Sequence, residues 1–303
     1  MPFMPGFRHK WDWTTSVLRL RAHPGFLPGL VKNTLLTLSL FGSGAAFSGA
    51  ERIITLAPHL TELVYDAGAD EALVATVAHS DYPPLAKTLH RIGDYQGIQV
   101  EAILQQRPDL VLAWRSGNRP QLIQRLKQLG LKVVTTEPES LSDIPQQIEL
   151  IGRLAGTLAV AERRADELRQ RLAELTHRHR PSSPVTVFYQ LWDSPMMTLN
   201  GQHFISQGIE KCGGKNVFAH LAPLVPQINV EAVLEANPDV ILLGERPQIA
   251  AEWQQAWQAY PSLQAVKTQR VHPISADVYQ RPTARFIEHL PQLCDVIQNG
   301  QKK

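Results

Sequence analysis

The sequence predicts an α/β protein of two lobes joined by one long helix, and three observations carry that prediction. A phrase in the first half, IQVEAILQQRPDLVLA at 98–113, returns in the second as INVEAVLEANPDVILL at 228–243. Short β-rich apolar runs alternate with helical stretches in both halves, the pattern of parallel sheets covered by helices. Between the halves, TLAVAERRADELRQRLAELTHRH at 157–179 contains no Gly or Pro and sets Leu158, Ala161, Ala165, Leu168, Leu172 and Leu175 at spacings of three and four.

In chain order, the first element is a leader, residues 1–50. Lys32 precedes an apolar run at 35–47, and Ser48-Gly49-Ala50 supplies small residues for cleavage. That order is a secretory signal peptide, and the run is shorter than the roughly 20 residues that span a bilayer. Cleavage is expected after Ala50, an uncleaved anchor being the alternative. Residues 1–30 extend upstream of an already complete signal, and Val31 stands where translation is expected to start. No Cys lies near the cleavage site to take an acyl anchor, so a freely diffusing periplasmic protein is expected.

Removing the leader removes five of the 30 Lys and Arg and one of the 28 Asp and Glu, leaving 25 basic against 27 acidic side chains. No basic stripe remains for a nucleic-acid partner. Export also bears on Cys212 and Cys294, which are 82 residues apart. An oxidising compartment favours a disulfide between them, two free buried thiols being the alternative.

The first lobe, 51–156, is expected to carry strands at 53–56, 73–76, 110–113 and 132–135. The connecting helix, 157–179, would be about 35 Å long at 1.5 Å per residue. Its narrow apolar stripe suits a rod along the backs of two lobes. The second lobe, 180–303, is expected to carry strands at 185–190, 240–243 and 271–274. In each copy of the repeat Val-Glu-Ala opens a helix, Pro-Asp ends it and the apolar run is a strand. Ala102, Leu104, Ala232 and Leu234 read as core. Glu101 and Glu231 differ, because a carboxylate in a first helical turn is favoured by the macrodipole while its head stays in water. Capping does not require a matching carboxylate in each lobe; if the lobes are related by pseudo-symmetry, the two form paired acidic knobs.

Enzyme signals are missing: there is no Gly-x-Ser-x-Gly, no His-Glu-x-x-His and no phosphate loop. The Cys212-Gly-Gly segment has no second nearby thiol for redox or zinc chemistry. Neither catalytic residues nor a metal site is expected.

Residues 51–299 resemble the periplasmic cobalamin-binding proteins that serve ABC importers. The resemblance rests on RIITLAPHLTELVYDAGA at 52–69, SDYPP at 80–84, GDYQGIQVEAILQQRPDLVLAWRSGN at 93–118, KCGGKNVF at 211–218 and PQINVEAVLEANPD at 226–239. The stretch at 93–118 is the most specific; that at 52–69 is shared with haem and siderophore binders of the same fold. The resemblance implies the class III periplasmic-binding-protein fold, two Rossmann-like lobes on a helical backbone, acting as a monomer with cobalamin in the inter-lobe cleft. It implies delivery to an inner-membrane permease dimer with its ATPase subunits, Glu101 and Glu231 docking onto arginines of the two membrane subunits. It puts Trp114 on the cleft wall and the Asp277–Arg281 pair on the corrin side chains. Tyr95 stands where the family has tryptophan. His79, Met197 and Val225 depart further, replacing tyrosine, phenylalanine and tryptophan. Fewer aromatics leave less stacking area.

Read from the residues alone, Trp114 after an apolar strand also suits core packing, Asp277 and Arg281 suit a surface ion pair, Tyr82 suits local packing in a turn, and Trp192 at a strand end is a further wall candidate. Haem or a ferric siderophore on the same fold is the competing ligand, since the pocket decides ligand and the fold does not. A siderophore calls for several convergent basic groups where the matched positions supply mainly Arg281; haem calls for an axial Tyr or His, and His79 and Tyr95 offer one.

Overall fold

The computed structural model describes residues 49–94, 97–178 and 183–298. The leader, but for Gly49 and Ala50, and Tyr95 lie outside the described residues.

The first lobe starts at β1 (Ile53–Thr55), buried at every position. It continues through α1 (Pro58–Asp66), β2 (Leu73–Thr76), β3 (His90–Arg91), α2 (Val100–Gln105), β4 (Leu110–Trp114), α3 (Pro120–Gln128), β5 (Val133–Thr136) and α4 (Asp143–Ala155). The five strands are all parallel in the order β3-β2-β1-β4-β5. β1 lies at the centre, which is why its residues are buried on both faces.

Next comes the connecting helix, α5 (Leu158–Arg178), within a residue of the expected span at each end. Ala161, Ala165, Leu168 and Leu175 of its stripe are buried. The stripe packs on the first lobe's α4 and on the second lobe's α11 (Ala284–Glu288), as a rod along both lobes requires. At the α4 crossing a Cβ on Gly152 would stand 2.3 Å from the Ala161 methyl, so the two helices need a glycine to meet this closely.

The second lobe runs β6 (Val185–Gln190), α6 (Phe204–Lys211), β7 (Gly214–Asn216), α7 (Val230–Ala236), β8 (Val240–Glu245), α8 (Pro247–Trp257), α9 (Gln264–Lys267), β9 (Val271–Ser275), α10 (Ala276–Tyr279), α11 and α12 (Leu290–Gln298). Its strands are parallel in the order β7-β6-β8-β9. Cys212, at the end of α6, and Cys294, in α12, are bonded as a disulfide and fully buried. One apolar core runs unbroken from β1 and α1 through α4 and α5 to α6, α11 and α12, so the lobes share packing and are not merely tethered. No described helix is long and apolar enough to cross a membrane.

β3 and β7 were not expected. They are edge strands of two and three residues, His-Arg and Gly-Lys-Asn, with too little apolar surface to register as runs. The repeat is structural in a different way from the one its apolar residues suggest. Ile103 and Val233 are fully buried, whereas Leu104 is 38% exposed and Ala102, Ala232 and Leu234 are only half-buried, because one turn of a short helix directs one residue inward. Each helix ends before its Pro, at a residue with left-handed backbone, Arg107 (φ 47°) or Asn237 (φ 41°). The Asp that follows each Pro ties down the neighbouring strand. Asp109 accepts from the backbone N–H groups of Glu51 and Arg52 at 2.8 and 3.1 Å, and Asp239 from the backbone N–H and hydroxyl of Thr186 at 2.8 and 2.7 Å.

Candidate functional site

In a parallel sheet the crevice outside the carboxyl ends of the strands is where ligands bind. In the first lobe that edge holds a cavity of about 540 Å³, and all of its lining residues belong to this lobe. Leu56, Ala57 and Pro58 follow β1, Val77, Ala78 and His79 follow β2, and Trp114 with Gly117 and Asn118 comes from the end of β4 and its turn.

Trp114 is the last residue of β4 and is held from four sides. Its backbone N–H donates to Asn118 Oδ1 at 2.7 Å, and its indole Nε1 donates to Glu137 at 2.9 Å. The His59 ring meets it edge-on at 5.1 Å. Gly117 leaves room for the indole, since a Cβ there would fall 1.9 Å from Cε3. Asn118 also donates to Leu56 O at 2.9 Å, fastening the turn to the end of β1. The tryptophan is thus a fixed, half-buried wall of the cavity that also packs against the core. His59 behind it is buried, and its pKa is lowered to about 3 by that burial and by the charge of Arg281.

His79 is exposed on the cavity rim with a left-handed backbone, φ 65°. That conformation is uncommon outside glycine and costs energy that surrounding contacts must hold. Below it a buried hydroxyl chain links Thr55, Thr61, Thr76 and Ser80 at 2.6–2.8 Å. Arg91 binds the carbonyls of Ser80, Ala86 and Leu89 at 3.1, 3.0 and 3.2 Å and so pins the loop after β2.

Arg281 does form the expected pair with Asp277, at 2.8 Å, but most of its guanidinium is engaged across the lobe boundary. Nη1 donates to Glu62 of α1 at 3.0 Å and Nη2 to the His79 carbonyl at 3.1 Å. Beside it Arg285 grips both oxygens of Glu62, at 2.8 and 2.5 Å, and stands 4.0 Å over the Tyr82 ring. The Tyr82 ring, 41% exposed, thus meets a guanidinium of the other lobe. Neither Glu62 nor Arg285 stood out in the sequence. A glutamate in PHLTELVYD looks like a solvated helix charge, and its partners lie more than 200 positions away.

On the second lobe, Met197 pairs through short backbone bridges with Trp192 and Gln227. Thr198 donates its N–H to Pro226 O, and Asn200 donates its N–H to Leu224 O, both at 3.0 Å, which places Val225 alongside. This wall follows the carboxyl end of β6. Met197 and Val225 are half-buried, and Trp192 is 50% exposed. The structure thus brings His79 and Trp114 together on one cavity, Met197, Val225 and Trp192 together on the second lobe, and Asp277 and Arg281 at the junction between lobes. Tyr95 falls outside the described residues.

Neither Glu101 nor Glu231 lines the cavity, although Val100, next to Glu101, does. Each glutamate is the second residue of its helix, α2 or α7, is exposed, and makes no ion pair with the described residues.

A family model described as periplasmic binding protein matches residues 53–277. A vitamin B12-binding protein of Vibrio cholerae is 38% identical over 254 residues, 84% of this chain and 91% of that protein. One from Vibrio parahaemolyticus is 31% identical over 280 residues, 90% of this chain and all of that one. Among solved structures, the periplasmic vitamin B12 binding protein BtuF of Vibrio cholerae superimposes with a TM-score of 0.76 over 84% of this chain and 99% of that one. The periplasmic heme-binding protein RhuT of Roseiflexus gives 0.75 over 84% of this chain and all of that one at 22% identity, a likeness of fold alone.

Proposed function

The chain belongs to the periplasmic binding protein family, and we propose that it captures cobalamin in the cleft between its lobes and hands it to an ABC importer of the inner membrane. The observation that carries the reading is the fixed Trp114 wall of an apolar cavity at the sheet's carboxyl edge, in a chain similar along both lobes to proteins named for vitamin B12 binding. A corrin ring is a broad, nearly flat body with amide arms. A cavity of about 540 Å³ on one lobe takes one side of such a ligand, and the Trp192–Met197–Val225 segment offers apolar surface to the other. Asp277, 63% exposed in its side chain, supplies a carboxylate for the amide arms in this reading.

The protein acts in the periplasm as a monomer, the leader at 1–50 directing export. Delivery uses Glu101 and Glu231. Each projects from a helix start with no ion pair among the described residues, and each is matched to a guanidinium fork on one of two permease subunits. The ATPase subunits of the importer sit on the far side of the membrane and do not meet this chain.

Titration of the purified protein with cyanocobalamin, followed by calorimetry and by the ligand's visible spectrum, tests the reading. One cobalamin per chain is expected. The exposed His79 on the cavity rim favours haem as the second reading, and saturable binding of haemin without binding of cyanocobalamin would replace the first reading with it.

A further inference from the structure

Two arginines of the second lobe converge on one carboxylate of the first. Glu62 belongs to α1 of the first lobe, and its side chain is 2% exposed. Its Oε1 accepts from Arg281 Nη1 at 3.0 Å and from Arg285 Nη2 at 2.5 Å, and its Oε2 accepts from Arg285 Nε at 2.8 Å. Both arginines belong to the second lobe and are themselves mostly buried, with side chains 16% and 13% exposed. Three charge-assisted donors thus saturate one buried acceptor, the strong and directional class of hydrogen bond. The remaining donors continue the bridge: Arg281 Nη2 reaches the His79 carbonyl at 3.1 Å, and Arg285 covers the Tyr82 ring at 4.0 Å.

We infer that Glu62 is a positioning residue of the ligand site: by holding Arg281 and Arg285 across the lobe junction it fixes the width of the cleft and the conformation of its His79–Tyr82 rim before ligand arrives. The inference deepens the proposed function and rests on its placement of the ligand between the lobes. The physical reason lies in the charge balance. Arg281 and Arg285 share one oxygen of Glu62, so without that carboxylate two buried guanidinium groups face each other, with the exposed Asp277 as the nearest remaining counter-charge. A buried ion left unpaired in this way is strongly unfavourable. Arg281 then withdraws toward Asp277 and solvent. Its bond to the His79 carbonyl is lost with it, and the left-handed turn at His79 loses a contact that holds it. A cleft set in advance spares the ligand the cost of ordering it.

The second salt-bridge cluster on α1 supports this role. One turn on from Glu62, Asp66 accepts from Arg164 of α5 at 2.9 Å, and Arg164 also reaches Glu288 of α11 at 2.7 Å. α1 is therefore tied to the connecting helix and to the second lobe at successive turns. Only the Glu62 cluster borders the cleft rim, which separates its effect from that of the lobe packing behind it.

The test compares Glu62→Gln with the unchanged chain in three measurements. These are cyanocobalamin Kd and koff, thermal unfolding, and the inter-lobe distance distribution between spin labels at Glu101→Cys and Glu231→Cys, read without ligand. Glu62→Gln is expected to raise Kd about tenfold or more, mainly through koff, and to broaden the distance distribution. Arg281→Met is expected to do the same, and the double variant to be no worse than the worse single one, as coupled residues require. A lower unfolding temperature with Kd and distances unchanged would reduce Glu62 to a purely structural residue and overturn the inference. If Glu62→Gln does not fold, Arg285→Lys keeps the charge and removes the two-pronged grip, and the same outcomes apply to it. If the unchanged chain binds no cyanocobalamin, the functional reading fails, and the ligand-free distance distribution still decides the role of Glu62.

Discussion

In the first lobe the repeated helix follows Gln99, which precedes α2 without any side-chain cap. In the second it follows Asn229, whose side chain accepts from the Ala232 N–H at 3.0 Å. Beyond that cap the two copies agree: an exposed glutamate at the second helical position, one fully buried residue, a left-handed residue before Pro, and an Asp holding the adjacent strand. The cleft-facing parts do not agree. The first lobe has five strands, the cavity and the Trp114 wall; the second has four, a disulfide, and the arginines that cross over. What the duplication preserves is therefore a scaffold that presents a carboxylate, and what has diverged is the division of labour around the ligand.

The largest difference to break is the disulfide, which braces only the second lobe among the described residues. Closing an 82-residue loop is worth about 4 kcal/mol in the chain-entropy model. Reduction, or Cys212→Ala with Cys294→Ala, is expected to lower the unfolding temperature by on the order of 10 °C. In hydrogen exchange the loss of protection should begin in α6 and α12. Equal loss across β1, β4 and β5 would show that the lobes unfold as one unit.

Acid probes both lobes together. Burial and then Arg281 hold His59 down to about 3, and burial holds His203 down to about 4, so both stay neutral where the unfolded chain takes up protons, near 6.5. Stability should therefore fall as pH drops below 6.5, by up to about 1.4 kcal/mol per pH unit for each histidine. Asp66 acts with the opposite sign. Burial outweighs its ion pair with Arg164 and raises it to about 6, so between 3.8 and 6 the folded state binds the extra proton and the loss is partly offset. Urea unfolding at pH 7.5, 6 and 5 checks the sum; stability that rises steadily on acidification would contradict neutral histidines.

Unequal walls should give unequal losses. Trp114→Ala is expected to weaken cobalamin binding by roughly 1–3 kcal/mol, the scale of a buried aromatic anchor. Met197→Ala, on the more adaptable second-lobe wall, should cost less than about 1 kcal/mol. Calorimetry with the reverse order would move the main wall to the second lobe. The smallest effect separates the two caps. Asn229→Ala is expected to cost about 1 kcal/mol of stability and Gln99→Ala close to nothing, because only Asn229 satisfies a helix N–H. Equal costs in denaturant titrations would mean that capping does not distinguish the copies.

Much of the scaffold was legible in the sequence because it is local. Seven strands announce themselves as apolar runs, and α5 as a stripe of Ala and Leu without Gly or Pro. The cysteine pair follows from export. Trp114, Glu101 and Glu231 sit at element ends, where a side chain's direction follows from its position. β3 and β7 were not legible, being two and three residues long with no apolar side chain and supported by their neighbours. Nor were Glu62, Arg285 and the cross-lobe partner of Tyr82, since their meaning lies in contacts between segments about 200 residues apart. A charged residue on a helix carries no local sign that another lobe will cover it. Arg281 was singled out, but its bonds to Glu62 and the His79 carbonyl come from the same long-range juxtaposition.

The division of labour proposed for this chain gives the duplicated glutamates to delivery and the lobes' differing faces to the ligand. It is tested most directly by Glu101→Lys with Glu231→Lys, assayed for cyanocobalamin affinity and for uptake into vesicles holding the importer. Unchanged affinity is expected, with uptake abolished by the double reversal and only reduced by either reversal alone, because the other lobe still engages. Normal uptake by the double variant would contradict this division and leave the glutamates as helix-start charges and nothing more.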